Sequence, residues 1–215
     1  MTYLEIVNNI LKRLRERTVS SVNENSYSSL IGILVNDALH EVEDSWDWSA
    51  LRTTITATTT PNVFSYVLTD SKNRAEILQV LNDTTNTEMK YADAAWMTKQ
   101  FLMQDPETGS PYYYSFNGVD NMQDTVVDIY PIPDAAETLR FNVIKRSLDL
   151  SDNADVVTVP TQPIVALAYA KAIEERGEDG GVGASSAYAT AERALNDAIA
   201  LDATKHPEEL IWKAV

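Results

Sequence analysis

The spacing of apolar residues changes twice along this chain. Near the N-terminus they recur every three or four positions, as at Leu4, Val7 and Leu11, which is the spacing of one helix face. From Thr53 the spacing changes: Thr53 to Thr60 is rich in β-branched threonine, and the stretch from Thr138 to Leu148 alternates apolar with polar. The helical spacing then returns. Helical ends around a strand-rich middle predict an α+β fold.

The order of these segments predicts how they are organised. We expect helices from residues 1–50 and 151–215 to pack together as an antiparallel bundle, with 51–150 inserted as an antiparallel β domain. Thr53 to Thr60 and Val63 to Leu68 read as two strands joined by the turn signal Pro61-Asn62. The sequence therefore predicts that these two strands form a hairpin.

Local signals predict where the helices begin and end. Thr2, with Glu5 three residues later, has the spacing of a capping box for the first helix. Ser28 or Ser29 is the expected N-cap of the second helix. A later helix is expected to stop at Gly177, because glycine readily adopts the left-handed conformation that ends a helix.

Composition excludes several kinds of chemistry. The 215 residues include 32 acidic and 17 basic side chains, a net charge of −15, and no cysteine. A thiol nucleophile, a disulfide framework and a cysteine-bound metal are therefore excluded. The two histidines, His40 and His206, are far apart in sequence, which disfavours a zinc site. The cluster Glu41, Glu43 and Asp44 lacks calcium-loop spacing and is expected to be a solvated helix face. We expect no catalytic, metal-binding or cofactor-binding residues.

The charge and hydropathy also bear on partners. An excess of acid opposes tight binding to a nucleic-acid backbone, which requires lysine and arginine. The sequence has no apolar run long enough to span a bilayer, so we expect no membrane segment.

Two groups of residues are candidates for contacts with another subunit or partner. Arg13, Arg15 and Arg17 lie near the end of the first helix and could contact nucleic acid or an acidic neighbour. Alternatively, they are solvated cations that oppose the helix dipole. Tyr112 and Tyr114 lie in an aromatic strand and could stack on bases or sugars, or simply pack in a sheet. Both interpretations of each group stay open from sequence.

The C-terminal segment is a third candidate. Leu210, Ile211, Trp212 and Val215 follow Pro207, which ends the last helical pattern. Such apolar side chains need burial, either on their own subunit or on a partner. The sequence alone does not decide between these two locations.

Several stretches together resemble a known family. They are an opening amphipathic helix (Tyr3–Leu14), an aromatic signature before a threonine-rich strand (Asp44–Trp48), a strand with a Pro-x-Pro turn (Val127–Asp134), a returning strand (Leu139–Val143) and a later helix (Val159–Ala170). In this layout the sequence resembles the head-to-tail connector, or adaptor, proteins of tailed bacteriophages. That group includes tail tubular protein A and gatekeeper-like tail accessory proteins.

The resemblance implies a structural virion protein without enzymatic activity, assembled in the host cytoplasm. It implies a homo-oligomeric, dodecameric ring that docks under the portal protein and contacts the next tail or nozzle protein, with DNA passing through without tight binding. Leu210, Ile211 and Trp212, with Val215 nearby, match the segment that reaches into the portal in relatives.

Two other functions are alternatives. A tail-completion or neck protein below the adaptor would have similar surfaces and different partners. A glycan hydrolase would use paired carboxylates, but no pair is marked by its spacing.

Overall fold

A computed structural model describes residues 1–177 and 182–205. The chain divides into two compact units, one formed by Met1–Leu51 with Arg146–Val215 and the other by Arg52–Lys145. We call them the helical unit and the β unit. The described residues contain five α-helices and two four-stranded sheets, which confirms the predicted mixed α+β class.

The elements have the following bounds. The α-helices are α1 (Tyr3–Arg13), α2 (Ser26–Asp44), α3 (Ala94–Phe101), α4 (Thr161–Arg176) and α5 (Val182–Ala203), with a short 3-10 helix at Ser49–Leu51. The strands are β1 (Arg52–Thr58), β2 (Ser65–Leu68), β3 (Ala75–Asn82), β4 (Thr87–Glu88), β5 (Lys90–Tyr91), β6 (Tyr113–Val119), β7 (Thr125–Tyr130) and β8 (Thr138–Lys145).

The helix ends agree with the sequence signals except at α2. Thr2 and Glu5 form the predicted capping box. Gly177 ends α4 with φ at 63°, as predicted. The prediction of Ser28 or Ser29 as the N-cap of α2 was wrong. Asn25 caps this helix: its side chain accepts the backbone N–H of Ser28 at 2.8 Å, and the Ser28 hydroxyl accepts the N–H of Asn25.

In the helical unit, α4 packs against α1, α2 and α5, and α1 also packs against α2. The interior is aliphatic; it includes Ile6, Ile10, Ile31, Leu39, Ile164 and Ala168, all fully buried. Gly32 lets α1 approach α2 closely, because a Cβ there would lie 2.5 Å from the Tyr3 hydroxyl and 2.7 Å from Val22 Cγ1.

The β unit does not contain the predicted hairpin. β1 pairs with β8 in a sheet ordered β1-β8-β3-β4, whereas β2 pairs with β7 in a sheet ordered β2-β7-β6-β5. The segment that links β1 to β2 is hydrogen-bonded to the segment before β8. The Thr59 N–H donates to the backbone carbonyl of Glu137, and the Asn62 N–H donates to that of Pro133. Strand partners here follow from which faces can be buried together, and sequence proximity does not reveal them.

The core of the β unit lies between the two sheets. Leu139, Phe141 and Val143 of β8 are buried on one face, as their alternation predicted. Val127 and Ile129 of β7 face the same core from the second sheet. An apolar core enclosed between two sheets stabilises both of them.

Candidate functional surfaces

The end of α1 forms an exposed basic surface, which we call the basic corner: Lys12, Arg13, Arg15 and Arg17. The helix ends at Arg13 and Leu14 caps it, so only the first two of these side chains lie in its last turn. Arg13 is hydrogen-bonded to Asn9, and its guanidinium lies 5.9 Å from the centre of the Tyr169 ring. Arg15 and Arg17 lie beyond the helix and point to solvent, so compensation of the helix dipole does not account for them.

Arg176 neutralises the acid nearest to the basic corner. Its guanidinium forms an ion pair with Glu16, donates to the Leu14 carbonyl at 3.3 Å, and lies 5.2 Å from the centre of the Tyr27 ring. Burial disfavours the charged form, but the bond to Glu16 and the contact with Tyr27 keep the pKa of Arg176 above its ordinary value. The positive charge of the corner is therefore not cancelled by Glu16.

The aromatic signature after α2 is a packed junction. Trp48 is fully buried, and its indole N–H donates to the Val42 carbonyl at 2.7 Å. Asp202 of α5 reaches this junction and accepts hydrogen bonds from the Ser49 hydroxyl at 2.6 Å, the Ser49 N–H at 2.9 Å and the Trp46 indole at 3.3 Å. We call this arrangement the Asp202 clamp. Lys205 adds an ion pair at 2.9 Å.

Burial by itself would raise the pKa of Asp202. The donors from Ser49 and the charge of Lys205 outweigh that effect and lower the pKa to about 2. The carboxylate is thus charged at neutral pH and holds the last turn of α5 against the end of α2. Sequence reasoning missed Asp202 because its partner lies far away along the chain. The only feature of the sequence that indicated a packed junction here was the tryptophan pair, Trp46 and Trp48.

Glu43 was also misjudged. The sequence placed it on a solvated face with Glu41 and Asp44, but Glu43 is fully buried and accepts the Ser147 N–H at 2.8 Å. Its two neighbours form ion pairs, Glu41 with Lys171 and Asp44 with Arg146. Over the described ranges, no group of three or more His, Asp or Glu side chains is placed to hold a metal ion.

The two candidate tyrosines are not presented together. Tyr112 precedes β6 and is 40% exposed, whereas Tyr114 is buried and packs against the core between the sheets. Tyr113 points to the opposite face, where its ring meets Trp96 of α3. Tyr112 is therefore the member of the pair that is available for contact.

The β unit exposes apolar side chains near an open strand edge. β5 pairs only with Tyr113 and Tyr114, so the rest of β6 has no neighbour on that side among the described residues. Phe116 and Val119 of that uncovered part are about half exposed. An open edge with apolar side chains is typical of a contact surface.

The C-terminal candidates Leu210, Ile211, Trp212 and Val215 lie outside the described residues. The described residues end at Lys205, three positions after Asp202. No helix among the described residues has both the length and the apolar character that a membrane span requires.

Comparison with known proteins defines the class. A family model matches residues 1–209, a range that runs through both units, and it describes a structural adaptor of the phage head-tail type. The model is that of the SU10 adaptor protein, and the chain belongs to this family. A search of curated proteins gives no match.

Membership of this family confirms that the chain is an adaptor of the phage head-tail type, as the resemblance implied. The protein is a bacteriophage structural adaptor and a virion component. The family implies a non-enzymatic role and interaction with portal and tail components.

Proposed function

We propose that this protein is the head-to-tail adaptor that links the portal to the tail, of the tail tubular protein A-like or gatekeeper-like kind. It assembles into a dodecameric ring under the portal and forms part of the channel through which DNA is ejected. The observation that carries this proposal is the family match, which spans residues 1–209 and so includes both units.

In this proposal the two units have different partners. The segments 1–50 and 151–215 form an antiparallel helix bundle that contacts the portal, and 51–150 contacts the next tail or nozzle protein. The exposed strand edge of the β unit supports the second assignment, because Phe116 and Val119 offer apolar surface for a partner.

The net charge supports a channel through which DNA slides. At −15 per chain, a ring carries a large negative charge that repels phosphate. Repulsion prevents DNA from adhering to the wall, whereas a basic wall would hold it through many phosphate contacts. Assembly takes place in the host cytoplasm, before the particle is complete.

The C-terminal segment docks on the portal. Leu210, Ile211, Trp212 and Val215 supply apolar anchors, of the kind that dominate binding energy when they are buried in a partner. The segment follows α5, whose last turn is fixed by the Asp202 clamp.

Imaging tests the proposal. Purified full-length protein is mixed with portal rings of the same phage and examined by electron microscopy over a range of salt and protein concentrations. We expect rings stacked coaxially on one end of the portal. Absence of a complex under every condition would contradict the proposal, and cross-links to a tail protein alone would favour a neck protein below the adaptor. A monomer in the absence of portal is compatible with it.

A further inference from the structure

The helical unit carries two exposed surfaces of opposite charge. One is the basic corner at the C-terminal end of α1. The other is the loop 148–156, which we call the acidic loop and which holds Asp149, Asp152 and Asp155.

The basic corner keeps its charge in the folded chain. None of its four side chains forms an ion pair within the described residues, whereas Lys171 pairs with Glu41 and Lys205 with Asp202. The nearest acid, Glu16, is engaged by Arg176. Beside the corner lies a cavity of about 460 Å³. Its lining is mixed: Arg13 and Tyr169, the aliphatic Ala166, Ile173 and Ala187, and the hydroxyl-bearing Ser186 and Thr190. A ligand for this place combines negative charge with an apolar side chain.

The acidic loop has both of these properties. Asp149 and Asp152 are exposed. Leu148 and Val156, at the two ends of the loop, are 51% and 63% exposed. The Asp155 carboxylate accepts the N–H groups of Ser151 and Asp152 at 2.8 Å, and these bonds lower its pKa and hold the turn.

The loop is fixed to the opposite end of α1. Tyr3 N–H donates to the Asp155 carbonyl at 2.8 Å and Leu4 N–H to the Asn153 carbonyl at 3.2 Å. Asn36 of α2 exchanges two hydrogen bonds with the backbone of Leu150, at 2.9 and 3.1 Å. The acidic loop is therefore presented in a defined position rather than as a loose segment.

Because α1 has 11 residues, its rise separates the two surfaces by about 16 Å along the helix axis. When one surface of a chain binds a different surface of the next copy, the copies associate head to tail. Such contacts close into a ring or extend as a filament. We infer that the basic corner of one copy binds the acidic loop of a second copy. The inference deepens the proposed function, since a ring needs such a side contact.

Phosphate is the rival ligand for the corner. Phosphate would pair with the guanidinium groups of the corner, but it offers nothing to the aliphatic part of the cavity lining, Ala166, Ile173 and Ala187. A second copy supplies the exposed carboxylates of Asp149, which lies 3.2 Å from His40 Nε2, and of Asp152, together with Leu148 and Val156. The observations therefore favour the acidic loop.

The absence of cysteine allows a direct test. One preparation carries Arg17→Cys and the other Asp152→Cys, both at exposed positions. They are mixed with portal rings of the same phage at high protein concentration and low salt under mild oxidation, and covalent dimers are measured on non-reducing gels. We expect the mixture to give at least about fivefold more dimer than either variant alone, and 0.5 M salt to remove most of that excess, because salt screens charge pairing at a surface.

A matched control uses Asp37→Cys, an exposed aspartate of α2 outside the acidic loop. Equal yields with Asp37→Cys and Asp152→Cys, or no excess in the mixture, would overturn the inference. Binding of a short DNA duplex by the wild type, lost in Arg15→Glu, would also overturn it. Docking of the wild type on portal rings is scored separately: docking without the cross-link refutes this contact alone, and a cross-link without docking refutes the proposed function.

Discussion

The carboxylate of Asp202 lies 2.6 Å from the hydroxyl of Ser49 and 2.9 Å from its backbone nitrogen. Two segments far apart in sequence are joined here: the turn that follows α2 and the last turn of α5. The same carboxylate is paired with Lys205, the last described residue. One buried charge thus fixes both the turn after α2 and the last turn of α5.

Asp202→Asn should destabilise the protein. The amide group has the size of the carboxylate but turns an N–H₂ toward donors, and it loses the ion pair with Lys205. We expect a loss of about 2 kcal/mol in the free energy of unfolding at pH 7, measured by urea denaturation. Asp197→Asn, at an exposed position of the same helix, is the control and should change stability little. A similar loss in both variants would show that the Asp202 clamp is not the cause.

The same carboxylate predicts a dependence on pH. The pKa of Asp202 falls from 3.8 to about 2 on folding, so its contribution is complete above about pH 4 and disappears as the pH falls to 2. The stability difference between wild type and Asp202→Asn should therefore shrink over this range. Asp124 and Asp155 also have lowered pKa values, so the comparison between the two proteins is the measurement. A difference that stays constant from pH 5 to pH 2 would contradict the assignment.

Gly32→Ala should separate α1 from α2. The new Cβ would lie 2.5 Å from the Tyr3 hydroxyl and 2.7 Å from Val22 Cγ1, and one of these groups must move. We expect a loss of about 1–3 kcal/mol by thermal or urea unfolding, which is typical of overpacking. Combining it with Tyr3→Phe removes the closest atom and should restore part of the loss. Absence of any restoration would place the strain elsewhere.

Arg176→Lys should weaken the end of α4 although the charge is kept. Lysine cannot bond Glu16 and the Leu14 carbonyl with one planar group while it lies over Tyr27. We expect a loss of about 1 kcal/mol in unfolding free energy. Arg193→Lys, on an exposed part of α5, is the matched control and should be neutral.

Removal of residues 208–215 tests the role of the C-terminal segment. We expect a protein that melts close to the wild type and docks on portal rings more weakly, because in the proposed assembly the segment binds the portal. Trp212→Ala should reproduce most of the weakening, and Lys213→Ala in the same segment little of it. A melting temperature well below that of the wild type would show that the segment packs on its own subunit.

The sequence predicted the elements that depend on local patterns. The alternation of Leu139, Phe141 and Val143 marked β8 correctly, because one buried sheet face imposes a period of two. The capping box of Thr2 with Glu5 and the end of α4 at Gly177 were also predicted correctly, because a helix end depends on residues close to it in sequence.

Long-range partners could not be read in this way. The pairing of β1 with β8 joins positions such as Ile55 and Phe141, and nothing near either one marks the other. Asp202 and Glu43 looked like ordinary surface acids because their partners, Ser49 and Ser147, are distant in sequence. The placement of Tyr114 in the core and of Tyr112 outside it likewise depended on where β6 begins.

We propose above all that this adaptor forms a ring on the portal. Native mass spectrometry of the complex with portal rings gives the number of adaptor chains for each portal. The account predicts one complete ring of twelve chains per portal, with no partial occupancy at saturation. A single chain or a dimer per portal, or no bound chain at all, would contradict it.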